Sequence, residues 1–446
     1  MDIEVSYNSK LSVGLEQAKL IQDQIDSVHE SGGGIVTLNA GDYICSTIFL
    51  RSNVELHLKH GCTIQAHHNL DDYPRVEIAA DNKDQTVKHL IVAQNCKNVT
   101  ISGEGTIDGQ DMAFWEPCKN KEERPFGIFR YKIPKDRPSP LIQIVACEDV
   151  KLKDFNVKSS PGWALHVFDC DLVSINGLNV RGHKYGPNTD GIGINGSRDV
   201  RISHCDVDTG DDAIIIKATN TDSVCERVTV DNCVLASNCA ALGLGADVYG
   251  VIRDVVFSNC VVKKSLRMIQ VEMWFPGQVE RAIFSSITGK TFSDEGVDNE
   301  RPIYIDIQQF KRPEPTLGKV NDMIFRDIIC ESRGRIVMTA QDGSKIKGIT
   351  LDTVKIIVPQ IEDPKVSVGN STSLQLSNFN PETRDYRAGV VADNCDELTL
   401  NNVEFKWPEN SDIEMNALCT RNCEALIDNS PRLKSNKNGV ARVVEL

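Results

Sequence analysis

The chain has 446 residues, beyond the ~250-residue ceiling of a single globular core. Its net charge of −14 argues against nucleic acid, which needs a basic stripe, and sits awkwardly with a long polyanionic substrate. No run approaches the ~18 apolar residues of a membrane span, so no membrane partner is expected.

Met1-Asp2-Ile3-Glu4-Val5 has neither a basic n-region nor an apolar h-region. The chain as given is therefore expected in the cytoplasm, or secreted or periplasmic if a leader was removed. Over 11–31 the pattern predicts a helix, with Leu15, Ala18, Ile21, Ile25 and Val28 on one face and Gly32-Gly33-Gly34 ending it. Such a helix would cap the exposed end of a repeating scaffold. Strand-like segments follow at 35–38, 48–50 and 54–58.

From there a short unit recurs, a polar or Cys-led turn followed by alternating β-formers. It reads Cys96-Lys97-Asn98-Val99, Cys147-Glu148-Asp149-Val150 and Cys170-Asp171-Leu172-Val173, then Arg198-Asp199-Val200, Glu226-Arg227-Val228 and Arg253-Asp254-Val255. Weaker copies lie at Arg281-Ala282, Asp322-Met323, Gly348-Ile349 and Glu397-Leu398. From Val150 to Ala282 the steps are 23, 27, 28, 27 and 27 residues. The 51-residue step before Val150 and the 49-residue step before Leu398 would each hold two turns or one long insertion.

Each unit has period two and is too short to bury its own face, so units must stack. The predicted fold is all-β, a single-stranded right-handed parallel β-helix (a solenoid) with an N-terminal capping helix. One domain is expected over 1–446, with coils over about 35–405 and a C-terminal segment over 406–446. Asn232, Asn259 and His204 share one phase, where Asn tolerates the left-handed corner and stacked amides can bond along the axis. Many of the fifteen cysteines share coil phases too, which suits reduced, packed thiols better than a disulfide framework.

Two motifs carry chemistry: Asn188-Thr189-Asp190-Gly191 and Thr209-Gly210-Asp211-Asp212. Turns collect such residues, but adjacent acids also suit a site where one carboxyl keeps its proton and another stays charged. Cleaving a glycosidic bond needs that division. Asp190 and Asp211, 21 residues apart, would fall on neighbouring rungs about 4.8 Å apart.

The two motifs together resemble the signature of glycoside hydrolase family 28, the polygalacturonase-like family. Gly105-Thr106-Ile107-Asp108-Gly109-Gln110 with Trp115, Arg137-Pro138, Ser160-Pro161-Gly162-Trp163, Gly245-Ala246-Asp247 and Pro302-Ile303-Tyr304-Ile305 agree with it. The resemblance implies an inverting hydrolase of α-linked pectic, galacturonic acid-containing saccharides. Asp211 would be the general acid, and Asp190 and Asp212 would hold and deprotonate the water. No metal or organic cofactor is implied, and the partner is an oligo- or polysaccharide.

Two departures stand out. Where the family has Gly-His-Gly, this chain has Asn238-Cys239-Ala240-Ala241. Where the family has Arg-Ile-Lys to grip a uronate, it has Arg267-Met268-Ile269-Gln270. The candidate substrate-binding residues are thus Asn188, His183, Arg267, Gln270 and Trp274, with Glu272 beside them. These changes favour an exo-acting hydrolase of short pectic substrates, or a relative acting on a neutral-sugar linkage. A lyase with Lys217 as base and a non-catalytic carbohydrate-binding β-helix are the rivals. The oligomeric state is left open.

Overall fold

A strand of a few residues with one apolar side hides that side only against another layer, and here the next coil of the same chain supplies it. The structure, a computed structural model, describes residues 1–78, 86–125, 128–294, 297, 300–309, 314–364, 383 and 385–446. The remainder of the expected coil region, 365–382 above all, lies outside the described residues. The fold is the expected right-handed parallel β-helix with a helix near its N-terminus. The chain divides into two compact units. Met1–Pro125, Phe129–Ile214 and Glu226–Cys233 form the first, and Ile215–Cys225 and Val234–Leu446 belong to the second.

In the first unit the repeat positions stack as the period demands. Val99 pairs with Val150, Val150 with Val173, Val173 with Val200 and Val200 with Val228, all in parallel register. Their side chains are fully buried, while the alternate residues Lys151 and Arg201 are exposed. The direct Val99–Val150 pairing shows that the 51-residue step is one coil with a long insertion, placed between strands Thr106–Asp108 and Ile142–Val145. The residue after each turn's first polar position is left-handed: Asn98, Asp149, Leu172, Asp199 and Arg227 have φ of 53–58°. His204 and Asn232 are left-handed as expected. Leu172 and Arg227 show that the corner's geometry is imposed by stacking and not by Asn alone.

The cysteines act as ladder rungs. The backbone N–H of Cys96 donates to Cys147 Sγ (3.4 Å) and that of Cys147 to Cys170 Sγ (3.3 Å), and Ser197 Oγ takes the same role for Cys170 (3.0 Å). All fifteen cysteines are free thiols, thirteen of them buried. The cap helix spans Leu15–Glu30 and buries Ala18, Ile21, Ile25 and Val28. Leu15, expected on that face, is 57% exposed: at about 100° per residue it sits well off the centre of the buried stripe, which includes Gln17. Gln17 Oε1 accepts from Ile44 N at 2.7 Å, satisfying a strand amide that a leucine could not.

In the second unit Val255 pairs with Ala282, Ala282 with Met323, and Met323 with Ile349. Thr350 then pairs directly with Thr399, so the 49-residue step is likewise one coil with an insertion. Phe257, Phe284 and Phe325 form a stack with ring centroids 4.6 and 5.2 Å apart. All three are fully buried. Phe284→Ala removes the middle ring and should cost about 3–5 kcal/mol. Urea unfolding should show it as a lower midpoint at an unchanged m-value.

Candidate active site

The first unit carries both aspartate motifs, and main-chain bonding sets their register. Ala164 N donates to Asp190 O (2.8 Å), Gly191 N to Asp212 O (2.8 Å) and Ile192 N to Ala213 O (2.9 Å). That parallel pattern places Asp190 opposite Asp212 on adjacent rungs, with Asp211 one residue earlier. Asp190 and Asp211 thus lie on neighbouring rungs, as their spacing predicts, with an offset of one residue. Asp190 and Asp212 are buried and Asp211 is half-buried. Asp211 is held at its turn, where its carboxylate accepts from Asp212 N (3.0 Å) and its carbonyl from Thr209 Oγ1 (2.7 Å).

The two loops are locked together through Thr189, whose Oγ1 accepts from Gly210 N (3.1 Å) and donates to His183 O (3.2 Å). A side chain at 210 has no room, since a Cβ there would lie 2.3 Å from His183 O. Asn188 takes the left-handed conformation, with φ of 53°. Its Oδ1 accepts from Arg137 Nη2 (3.2 Å), while Arg137 Nη1 donates to Pro161 O (2.8 Å) and Pro187 O (2.9 Å). Arg137 is 1% exposed, so a buried guanidinium clamps two consecutive turns. Asn188 thus serves the loop's shape.

His183 packs among aromatic rings, edge-on to Trp115 (5.7 Å) and Tyr131 (5.2 Å). Its Nδ1 accepts from Tyr185 N at 3.1 Å. Trp115 is anchored by its indole N–H on Pro161 O (2.8 Å). Burial raises the carboxyl of Asp111, opposed by the Met112 N–H and by His183. Sequence reasoning singled out neither Asp111 nor Tyr131, and it quoted Arg137 without a role. Asp111 stood next to the Gly105–Gln110 phrase. Tyr131 had no motif to mark it.

The second unit holds Arg267, Gln270, Glu272 and Trp274. Arg267 Nη1 donates to Glu272 Oε1 (3.1 Å) and to Gln270 Oε1, and its guanidinium carbon lies 5.4 Å from the Tyr304 ring centroid. Arg267 and Glu272 are both buried, so this cation is matched within the chain. Trp274 is buried too, packed with Ala246 and Phe275. Lys217, the residue a lyase would use as base, is a buried partner of Asp247 at 3.0 Å.

Glu272 stands opposite Asp306 on the next rung. Asp306 is fully buried, and burial first, then Glu272, pushes its carboxyl well above the usual range. The folded chain therefore holds this proton to a higher pH than the unfolded chain does. Stability contributed by that proton is complete below about pH 4 and falls by up to about 1.4 kcal/mol per pH unit as pH rises toward the folded value. In Asp306→Asn the unfolding free energy measured from pH 4 to 8 should fall less steeply.

The family model "Glycosyl hydrolases family 28" matches residues 46–378. An endo-polygalacturonase of Pectobacterium carotovorum subsp. carotovorum is 22% identical over 339 residues, spanning 73% of this chain and 80% of that protein. Among solved structures, a hyperthermoactive exopolygalacturonase of Thermotoga maritima aligns with a TM-score of 0.67 at 19% identity, covering 87% of each chain. A family 28 exopolygalacturonase of Yersinia enterocolitica aligns with a TM-score of 0.67 at 16% identity, covering 93% of this chain and 75% of that one. At these identities the structural likenesses bear on the fold alone.

Proposed function

This chain belongs to the glycosyl hydrolases of family 28, and we propose that it hydrolyses an α-linked, galacturonic acid-containing saccharide with inversion, acting from the end of short substrates. The relatives are named as polygalacturonases, which supports the substrate class. The observation that carries the chemistry is the rung pairing Asp190 with Asp212, with Asp211 beside it on the half-buried side of the turn.

In this reading Asp211 is the general acid that protonates the leaving oxygen. Asp190 and Asp212 orient the attacking water and take its proton. Inversion needs room for that water, roughly 6.5–9.5 Å between acid and base. Between Asp211 and Asp190, side chains reaching from a rung spacing of about 4.8 Å with a one-residue offset are compatible with it, whereas the carboxylate oxygens of Asp211 and Asp212 approach within 4.8 Å of each other. The surrounding residues keep the geometry fixed: Thr189 and Arg137 hold the loops, and neither needs to touch the sugar.

A second reading has its own support. Arg267 is paired with Glu272 and Gln270, which suits a neutral ring beside it better than a uronate. Reducing-sugar release from polygalacturonan, its oligomers, rhamnogalacturonan and neutral α-linked oligosaccharides separates the two. Proton NMR of the first product anomer tests inversion. Monosaccharide appearing first from short uronides, as the β-anomer, is the expected outcome. Activity on neutral sugars only would favour the second reading. Binding without turnover would make the chain a carbohydrate-binding β-helix.

A further inference from the structure

We propose that Arg130 forms a carboxylate-binding subsite in the first unit, where it takes the uronate carboxylate of an acidic oligosaccharide. The proposal rests on the pectic reading above and names where the acidic group is gripped.

The segment 118–136 carries six cations against three acids, in a chain whose net charge is −14. Its two ends pair as an antiparallel flap: Pro117 bridges Tyr131, Cys118 N donates to Arg130 O (2.9 Å) and Lys132 N to Glu116 O (2.9 Å). Arg130 N donates to Tyr185 O at 2.9 Å, which ties the flap to the segment leading into the aspartate loop. Three residues beyond Tyr185 the chain reaches Asn188, Thr189 and Asp190.

Arg130 is exposed, yet its position is fixed. The guanidinium carbon lies 3.5 Å from the Tyr185 ring centroid, and Lys184 Nζ lies 4.8 Å from the same centroid. Stacking uses the flat face of a guanidinium and leaves its N–H edge, which matches a carboxylate in bidentate fashion. Tyr131, half-buried in the same flap, and Trp115 behind it form an aromatic wall at a ring distance of 5.2 Å, a surface of the kind a pyranose packs against. By contrast, the guanidinium of Arg267 is spent on Glu272. Arg130 is thus the residue with a pre-set, solvent-reachable fork next to the aspartate loop.

The test is calorimetric binding of a linear galacturonate trimer, and of its methyl ester, to the chain carrying Asp211→Asn so that nothing turns over. The acid trimer should bind more tightly than the ester. Adding Arg130→Gln should weaken the acid about tenfold or more, as expected for a lost charge-assisted hydrogen bond, and leave the ester unchanged. Equal affinity for acid and ester, no binding of the acid, or an Arg130→Gln loss shared by both ligands would each overturn the subsite. Failure of the hydrolase reading shows separately, as a wild-type chain that binds the acid through Arg130 yet releases no reducing sugar.

Discussion

Asp211→Asn should leave a folded chain whose turnover is lower by about 10²–10⁴-fold, the usual contribution of a positioned acid or base. The fold should survive because the backbone hydrogen bond that the Asp211 carboxylate accepts suits an amide. Its Oδ1 accepts from Asp212 N, and an asparagine oxygen can do the same. The half-buried position also means that no tightly packed volume changes. What the amide cannot do is give up a proton to a departing sugar oxygen. KM should therefore change little while kcat collapses, the pattern of an interaction made only in the transition state. Asp190→Asn should also lose turnover, but a substrate with a good leaving group should rescue Asp211→Asn and not Asp190→Asn. If all three aspartates can be replaced without loss, the catalytic assignment is wrong.

Much of this architecture was legible in the chain because it is local and repeated. A strand that alternates every second residue, returning after 23 to 28 residues, has few ways to bury itself, and Val150, Val173 and Val200 stack as their spacing demands. Long steps were not legible. A gap of 51 residues holds two coils or one coil with an insertion equally well, and only the Val99–Val150 pairing decides. The hydrophobic pattern also missed Gln17, because a helical wheel ranks hydrophobicity and cannot see the Ile44 amide that Gln17 satisfies.

The site was legible in type more than in partnership. The motifs supplied three carboxyls, and counting residues put Asp190 and Asp211 on neighbouring rungs but could not say that Asp212 is the residue facing Asp190. Arg267 was visible as a cation. That Glu272 neutralises it depends on side-chain reach within one strand, and no spacing rule conveys it. Arg130 and Tyr185 are 55 residues apart in sequence and meet only because the insertion folds back as a flap.

Arg137→Lys should cost both stability and turnover, and the two losses have one origin. The guanidinium donates to three acceptors on two turns, Pro161 O, Pro187 O and Asn188 Oδ1. Lysine keeps the charge but not the planar fork, so it can hold one turn or the other. Losing two bonds to a buried cation should destabilise the chain by about 2–4 kcal/mol, read as a lower unfolding midpoint. The loop bearing Asp190 then loses its registration against the turn before Trp163. A shift of about 1 Å in a catalytic group is worth on the order of 100-fold in rate. Arg137 lies away from solvent, so KM should hold while kcat falls. A merely structural role predicts something different: assayed well below its melting temperature, the variant would recover full kcat. Millimolar guanidinium added to Arg137→Ala separates them further, because a small cation that refills the fork should restore kcat where ammonium does not. If neither variant lowers kcat at temperatures where it is folded, the geometry of the Asn188–Asp190 loop is set by the coils alone.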